Sequence, residues 1–321
     1  MAVHAFIFPG QGSQSVGMGR DLAAAFTAAR EVFDEVNEAL KQNLSRLMFD
    51  GPPETLTLTE NAQPALMAHS VAVLRVLERE GGVVLKQKAA VVAGHSLGEY
   101  TALAAADAFT IGDAARLLKL RGEAMQKAVP AGVGAMAALL GVALPLAKEI
   151  CEEAAVPASG NGERLVIQPG NDNGAGQVVI SGHREAVERA VAVAGAKGVR
   201  RAMMLPVSAP FHCALMAPAA EEMAEALTAT PPRAPVVPLV ANVSASKETD
   251  PDRISALLVE QVTAMVRWRE CVETMAGLGV NSFVELGAGK VLSGLVRRIV
   301  PDAASMAAGT PAEIETVLKN L

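Results

Sequence analysis

Aromatic residues are scarce, 3% of 321 residues, with one Trp and one Tyr. Platforms that stack nucleobases need aromatic faces, so a single-strand nucleic-acid binder is not expected. Positive charge is also short: 28 Lys and Arg against 34 Asp and Glu, a net charge of −6. A general nucleic-acid binder carries the opposite footprint. The three cysteines, Cys151, Cys213 and Cys271, form no CxxC pair. Neither a zinc knuckle nor a disulfide framework is indicated, which suits a reducing, cytoplasmic compartment. No HExxH motif, EF-hand loop or Cys/His cluster asks for a metal. The longest apolar stretch, 133–147, is interrupted by Gly141 and Pro145. It falls short of about 18 residues, so no membrane span is expected. Residues 1–8 carry no positive leader and do not read as a signal peptide.

What the chain does have is apolar side chain, 51% of residues, enough for a large core. Its length corresponds to two domains at about 150 residues each, or to one domain with an insert. Residues 4–8 read as a strand, broken by Pro9-Gly10-Gln11-Gly12, with a helix from about Gly19. Helical periodicity runs over 62–80 and stops at Gly81-Gly82. Residues 89–93 form a short apolar strand, followed by Gly94-His95-Ser96-Leu97-Gly98 and helical sequence through Ala106. Strand candidates return at 236–240 and 282–286. Alternating strands and helices imply a parallel sheet covered on both faces.

The middle of the chain follows another order. Strands at 134–141, 164–168, 177–181 and 199–206 alternate with helices at 145–155 and 184–196. That is β-α-β-β-α-β, the split pattern of a ferredoxin-like unit. The expected fold class is α/β, with 1–131 and 206–321 forming a discontinuous large domain and 132–205 an inserted ferredoxin-like subdomain.

Gly94-His95-Ser96-Leu97-Gly98 fits G-x-S-x-G between a strand and a helix. A sharp turn there pushes the Ser side chain above the sheet, and the helix N-terminus aims amides at a developing oxyanion. Ser96 is therefore the candidate nucleophile, and it needs a base. Of five histidines, His4, His69 and His183 read as structural or surface residues. His95 adjoins Ser96 and points to the opposite face. His212, after a strand and Pro210, is left as the candidate base, against a packed loop histidine. Asp107, Asp113 and Asp172 lie between Ser96 and His212, and none clearly follows a main-sheet strand. A dyad, its imidazole oriented by something other than a carboxylate, is the alternative to a triad.

These residues carry a resemblance. The chain resembles the malonyl-CoA:acyl-carrier-protein transacylases of bacterial type II fatty acid synthesis nearly end to end. The markers are Phe8-Pro9-Gly10-Gln11-Gly12-Ser13-Gln14, Gly94 to Tyr100, Arg121-Gly122, Gly134-Ala135-Met136, 171–177, His212 to Met216 and Gly287 to Leu292. The resemblance implies a hydrolase-like α/β domain with a ferredoxin-like insert. It implies Ser96 as nucleophile, His212 as base, and the amides of Gln11 and Leu97 as oxyanion hole. It also implies a main-chain carbonyl at Arg267, before Trp268, orienting the His. Arg121 is implied to pair with the malonyl carboxylate, which a guanidinium can hold through two parallel bonds. Met125, one helical turn on, and Met136 and Asn173 are weaker acyl-pocket candidates. Expected partners are malonyl-CoA and holo acyl carrier protein, with no nucleic acid and no membrane, and the chain is expected to act as a monomer. No cofactor is expected, since CoA and phosphopantetheine enter as substrate parts.

The chain departs from the family at Ala288, where Pro is usual, and at Ala264-Met265 ahead of Val-Arg-Trp. It departs again at Phe211, just before the base, where Ser is common in the bacterial enzymes; malonyl-selective relatives in polyketide synthases have a bulky residue there, so the resemblance leans the acyl choice away from methylmalonyl. Gly287-Ala288-Gly289-Lys290 resembles a phosphate loop, but Val284 and Val291 occupy positions that need Gly and Ser or Thr. An acidic carrier would need a local basic patch, for which Lys197, Arg200, Arg201, Lys290, Arg297 and Arg298 are candidates. Two rivals share the motifs: an acyl hydrolase, distinguished by release of the acyl group to water, and a catalytically inert carrier-binding protein.

Overall fold

The computed structural model describes residues 2–156 and 162–321. Met1 and residues 157–161, the latter within the expected insert, lie outside the described residues. The strands are β1 (His4–Phe8), β2 (Ala89–Gly94), β3 (Gly134–Leu140), β4 (Ile167–Asp172), β5 (Gln177–His183), β6 (Arg201–Met204), β7 (Leu239–Val240), β8 (Lys247–Glu248), β9 (Ser282–Leu286) and β10 (Ala304–Ala308).

They form two sheets. The larger has the order β10-β9-β1-β2-β7-β8. Its first five strands run parallel, and β8 turns back antiparallel at the edge. All five residues of β1 are buried, as expected for a central strand covered on both faces. On one face the helix Thr59–Arg79 passes almost wholly through the core, and Gly82 at φ +64° stops the chain just beyond it. This helix starts three residues before the expected 62. Its Ala-rich surface buries nearly all round, so its apolar pattern is not confined to one stripe. On the other face Trp268, Cys271, Val272 and Met275 pack with Ile7, Val91 and Phe283.

The second sheet, β4-β5-β3-β6, is antiparallel throughout. The helices Leu144–Ala154 and Arg184–Ala196 lie on one of its faces over Ala137, Leu139, Val178 and Ile180. The β-α-β-β-α-β order and this strand order make the unit ferredoxin-like. Several expectations shift. Strand β4 occupies Ile167–Asp172 where the sequence reads 164–168, β6 and β7 are shorter than the expected 199–206 and 236–240, and β8 and β10 have no counterpart in the sequence reading. The stretch Gly170-Asn171-Asp172 reads as a turn, yet it is held extended by the other sheet's neighbourhood. A bulge falls between Pro169 and Asn171, Asn171 bridges Val266 in parallel, and Asp172 N–H donates to the Val266 carbonyl at 2.9 Å. This joint places Asn171 and Asn173 over the carboxyl ends of β1 and β2, where ligands bind in open parallel sheets.

Candidate active site

The site begins where β2 ends. The chain turns through Ser96, whose φ of +54° is uncommon for a residue with a Cβ. The surroundings hold it there. Ser96 N–H donates to Asn242 Oδ1 at 2.8 Å, and His95 N–H donates to the Phe8 carbonyl at 3.0 Å. The helix Gly98–Ala105 leaves at once and packs close. A Cβ on Gly94 would lie 1.9 Å from the Gly98 carbonyl oxygen, and one on Gly98 would lie 2.3 Å from the Phe8 oxygen. Glycines two residues either side of Ser96 are thus a steric requirement of this turn.

Ser96 Oγ lies 2.7 Å from His212 Nε2. His212 Nδ1 lies 2.8 Å from the Gln261 carbonyl oxygen. A carbonyl only accepts, so Nδ1 carries the proton and Nε2 offers its lone pair to the Ser96 hydroxyl. No carboxylate is involved, in agreement with the dyad alternative. The orienting carbonyl corrects the expectation at Arg267. Gln261 is the last residue of the helix Pro251–Gln261, where carbonyls have no intrahelical partner and are free to accept from a side chain. Arg267 is turned elsewhere. Its guanidinium pairs with Glu270 and donates to the Val243 carbonyl at 2.9 Å. Burial, then the nearby charge of Arg121, pushes His212 down to about 3, so the imidazole is neutral and able to accept a proton.

Arg121 reaches the same hydroxyl. It is 1% exposed, and its Nη2 donates to Ser96 Oγ at 3.2 Å and to Gln261 Oε1 at 2.9 Å. Its Nη1 donates to Gln63 Oε1 at 2.8 Å, and the guanidinium lies 5.7 Å from the Tyr100 ring centroid. Among the described residues no carboxylate forms an ion pair with it. A buried cation without a bound anion is costly, so amides hold this one in readiness.

The amides of Gln11 and Leu97 find no acceptor among the described residues, and both residues line the cleft. The Gln11 side chain is tied back to Thr59 Oγ1 at 3.0 Å. The cleft holds about 370 Å³ between the two sheets. Met125, Met136, Phe211 and Val207 supply its apolar wall. Asn173 lines it too, with Oδ1 2.9 Å from His95 Nε2, while the Ser96 hydroxyl is met by His212 and Arg121. The candidates Ser96, His212, Gln11, Leu97, Arg121, Met125, Met136 and Asn173 thus meet in one cleft, and Arg267 does not join them.

Four contributors escaped the sequence reading: Gln63, Asn242, Gln261 and Glu99. Asn242 Nδ2 donates to the Gly94 carbonyl at 2.8 Å, and Gln261 Nε2 donates to the Ser96 carbonyl at 3.1 Å. Glu99 accepts at Oε2 from Asn242 N–H and from Gln261 Nε2, each at 2.9 Å. Burial pushes its carboxyl up to about 7. Asn242 had a usable signal, a polar residue directly beyond a parallel strand.

Of the basic-patch candidates, Lys197 pairs with Glu153 at 3.0 Å and Lys290 with Glu313 at 2.6 Å, so both charges are locally balanced. Arg201 lies exposed on β6, and Arg297 and Arg298 end the helix Val291–Ile299. Among the described residues no cluster of three His, Cys, Asp or Glu side chains could hold a metal, and no helix is long and apolar enough to cross a membrane.

The sequence profile of the acyl transferase domain family matches residues 5–312. The malonyl CoA-acyl carrier protein transacylase of Escherichia coli K12 is 46% identical over 319 residues, 99% of this chain and 100% of that one. A solved acyl-carrier-protein S-malonyltransferase from Bartonella henselae is 54% identical, with a TM-score of 0.94 and 99% of each chain covered. A malonyl-transacylase solved with its type II polyketide acyl carrier protein is 42% identical, with a TM-score of 0.94 over 100% of both chains.

Proposed function

The chain belongs to the acyl transferase domain family, and from that premise we propose that it moves a malonyl group from malonyl-CoA to the phosphopantetheine thiol of an acyl carrier protein, through a malonyl-Ser96 intermediate. Relatives named for this activity match it over nearly their whole length. The product supplies malonyl units for fatty acid synthesis.

His212 Nε2 takes the hydroxyl proton as Ser96 Oγ attacks the thioester carbon. The tetrahedral oxyanion sits on the Gln11 and Leu97 amides. The carbon–sulfur bond breaks, and His212 returns the proton to the departing CoA sulfur. In the second half the carrier thiol gives its proton to His212, attacks malonyl-Ser96 and restores the hydroxyl. Arg121 holds the acyl carboxylate throughout. Met125, Met136 and Asn173 shape the acyl pocket, and residues 132–205 act as an inserted subdomain forming one wall of the cleft. No further cofactor enters, because CoA and phosphopantetheine come and go with the substrates. The three cysteines are free and buried, which suits the cytoplasm, where we place the reaction.

One observation carries this reading. A buried guanidinium and a neutral imidazole touch the same Ser96 oxygen, at 3.2 and 2.7 Å. A short acyl group on that oxygen must fold its far end toward a cation, which selects a carboxylated acyl group. Ser96→Ala should abolish appearance of malonyl-carrier by carrier mass. Full transfer by that variant would refute the reading.

A further inference from the structure

Arg121 and Glu99 are joined by a single amide. Arg121 Nη2 donates to Gln261 Oε1 at 2.9 Å, and the Nε2 of the same amide donates to Glu99 Oε2 at 2.9 Å. Both charged residues are 1% exposed. Glu99 does no work in the transfer steps above. Both of its described bonds fall on Oε2, which leaves Oε1 to carry a proton.

We propose that loading a carboxylated acyl group onto Arg121 is coupled to uptake of one proton from solvent at Glu99 Oε1. Glu99 is then a positioning residue that tunes the clamp by its charge. The inference rests on the assignment of Arg121 to the acyl carboxylate.

Before loading, the Glu99 anion balances Arg121 across the Gln261 amide. After loading, a second anion shares that cation. Two like charges in one buried array disfavour each other's ionised forms, and the carboxyl already strained by burial takes the proton. The array's net charge is the same before and after. Other charged or titratable groups face Glu99. They are Arg121 itself, Tyr100 on the same helix, Glu248 on β8 and Cys271 on the helix Trp268–Gly277, with His212 beyond Arg121. Burial lifts Tyr100 and Cys271 well above neutrality and holds His212 near 3. Glu248 accepts from the Ser244 and Ser246 hydroxyls at 3.1 and 2.9 Å. Glu99, lifted to about 7, is the group of this set placed to change charge near neutrality.

The test uses the malonyl thioester of N-acetylcysteamine, which lacks the phosphates of CoA, and follows Ser96 acylation between about pH 6 and 8.5. In the native chain KM should rise with pH by about tenfold while kcat stays level, the size expected for one unit charge acting across an intervening amide. In Glu99→Gln the KM should stay at its low-pH value, and the acetyl thioester should show no such slope in either protein. A merely structural Glu99 would change rates and leave the slope in place, and that result overturns the proposal. If Glu99→Gln does not fold, calorimetric titration of Ser96→Ala with the same thioester, at neutral pH in two buffers of different ionisation enthalpy, reads the proton directly. Net uptake supports the proposal, and binding without uptake overturns it. Failure of the malonyl thioester to bind or load at all would instead sink the carboxylate assignment, and this inference with it.

Discussion

Replacing Arg121 with Met should collapse the enzyme's choice between malonyl and acetyl groups while sparing its chemistry. Met keeps most of the buried volume and removes the cation. Malonyl would lose two charge-assisted hydrogen bonds, each worth about 1.5 to 2.2 kcal/mol in a buried site, so about 3 to 4.5 kcal/mol in all. That is roughly a 10²- to 10³-fold fall in kcat/KM for malonyl-CoA. Acetyl-CoA has no carboxylate to lose, and the proton path from Ser96 Oγ to His212 Nε2, 2.7 Å apart, contains no atom of Arg121. Its acylation rate should hold or rise, because the acetyl methyl no longer faces a buried cation. The cost to the fold falls on the Gln63 and Gln261 Oε1 atoms and on Ser96 Oγ, which lose a donor, and on the Tyr100 ring, which loses the guanidinium beside it. Rapid-quench acylation read by intact-protein mass, with both thioesters on both proteins, measures the ratio. Equal falls for malonyl and acetyl would refute the carboxylate clamp and make Arg121 a structural support of the nucleophile.

Other consequences follow from the same geometry. Asn242→Ala removes the acceptor of Ser96 N–H and the donor to the Gly94 carbonyl. A loss of about 2 kcal/mol in stability and about a hundredfold in acylation is expected, by denaturant titration and quench kinetics. Gly98→Ala would set a Cβ 2.3 Å from the Phe8 oxygen, destabilising the chain by about 3 kcal/mol, and a thermal midpoint within a degree of the native value would contradict this. Burial holds His69 down at about 4, so between there and 6.5 the unfolded chain binds a proton that the native one does not. Stability is then lost as pH falls through that window, and His69→Gln should flatten its pH dependence by about 1.4 kcal/mol per pH unit.

The legible parts of this protein were those whose chemistry needs a rare local pattern. Ser96 stands between glycines that the turn cannot do without, and His212 follows a proline where a strand ends. The β-α-β-β-α-β order showed because β3, β5 and β6 lie on or beside apolar runs and Leu165-Val166-Ile167 leads into β4. The illegible parts depend on contacts distant in the chain. Gln261 orients His212 with a backbone carbonyl, which has no residue signature, so the orienting position was misplaced at Arg267. Gln63 and Asn242 are amides of ordinary type brought together by the fold. Glu99 directly follows the nucleophile motif, in the first turn of a helix, where an acidic residue is ordinary and carries no signature of its own. Strand β4 contains Gly170-Asn171-Asp172, a turn-like triplet that is extended because Val266, in the loop after the helix Pro251–Gln261, pairs with it.

The proposed chemistry turns on a malonyl ester on Ser96 that a carrier thiol discharges faster than water does. Native protein mixed with malonyl-CoA, then split between buffer and holo acyl carrier protein, tests it by intact mass and peptide mapping. A malonyl adduct should appear on the Ser96 peptide, persist in buffer and pass to the carrier when it is added. An adduct elsewhere, or one that decays to free malonate equally fast with and without carrier, would contradict it.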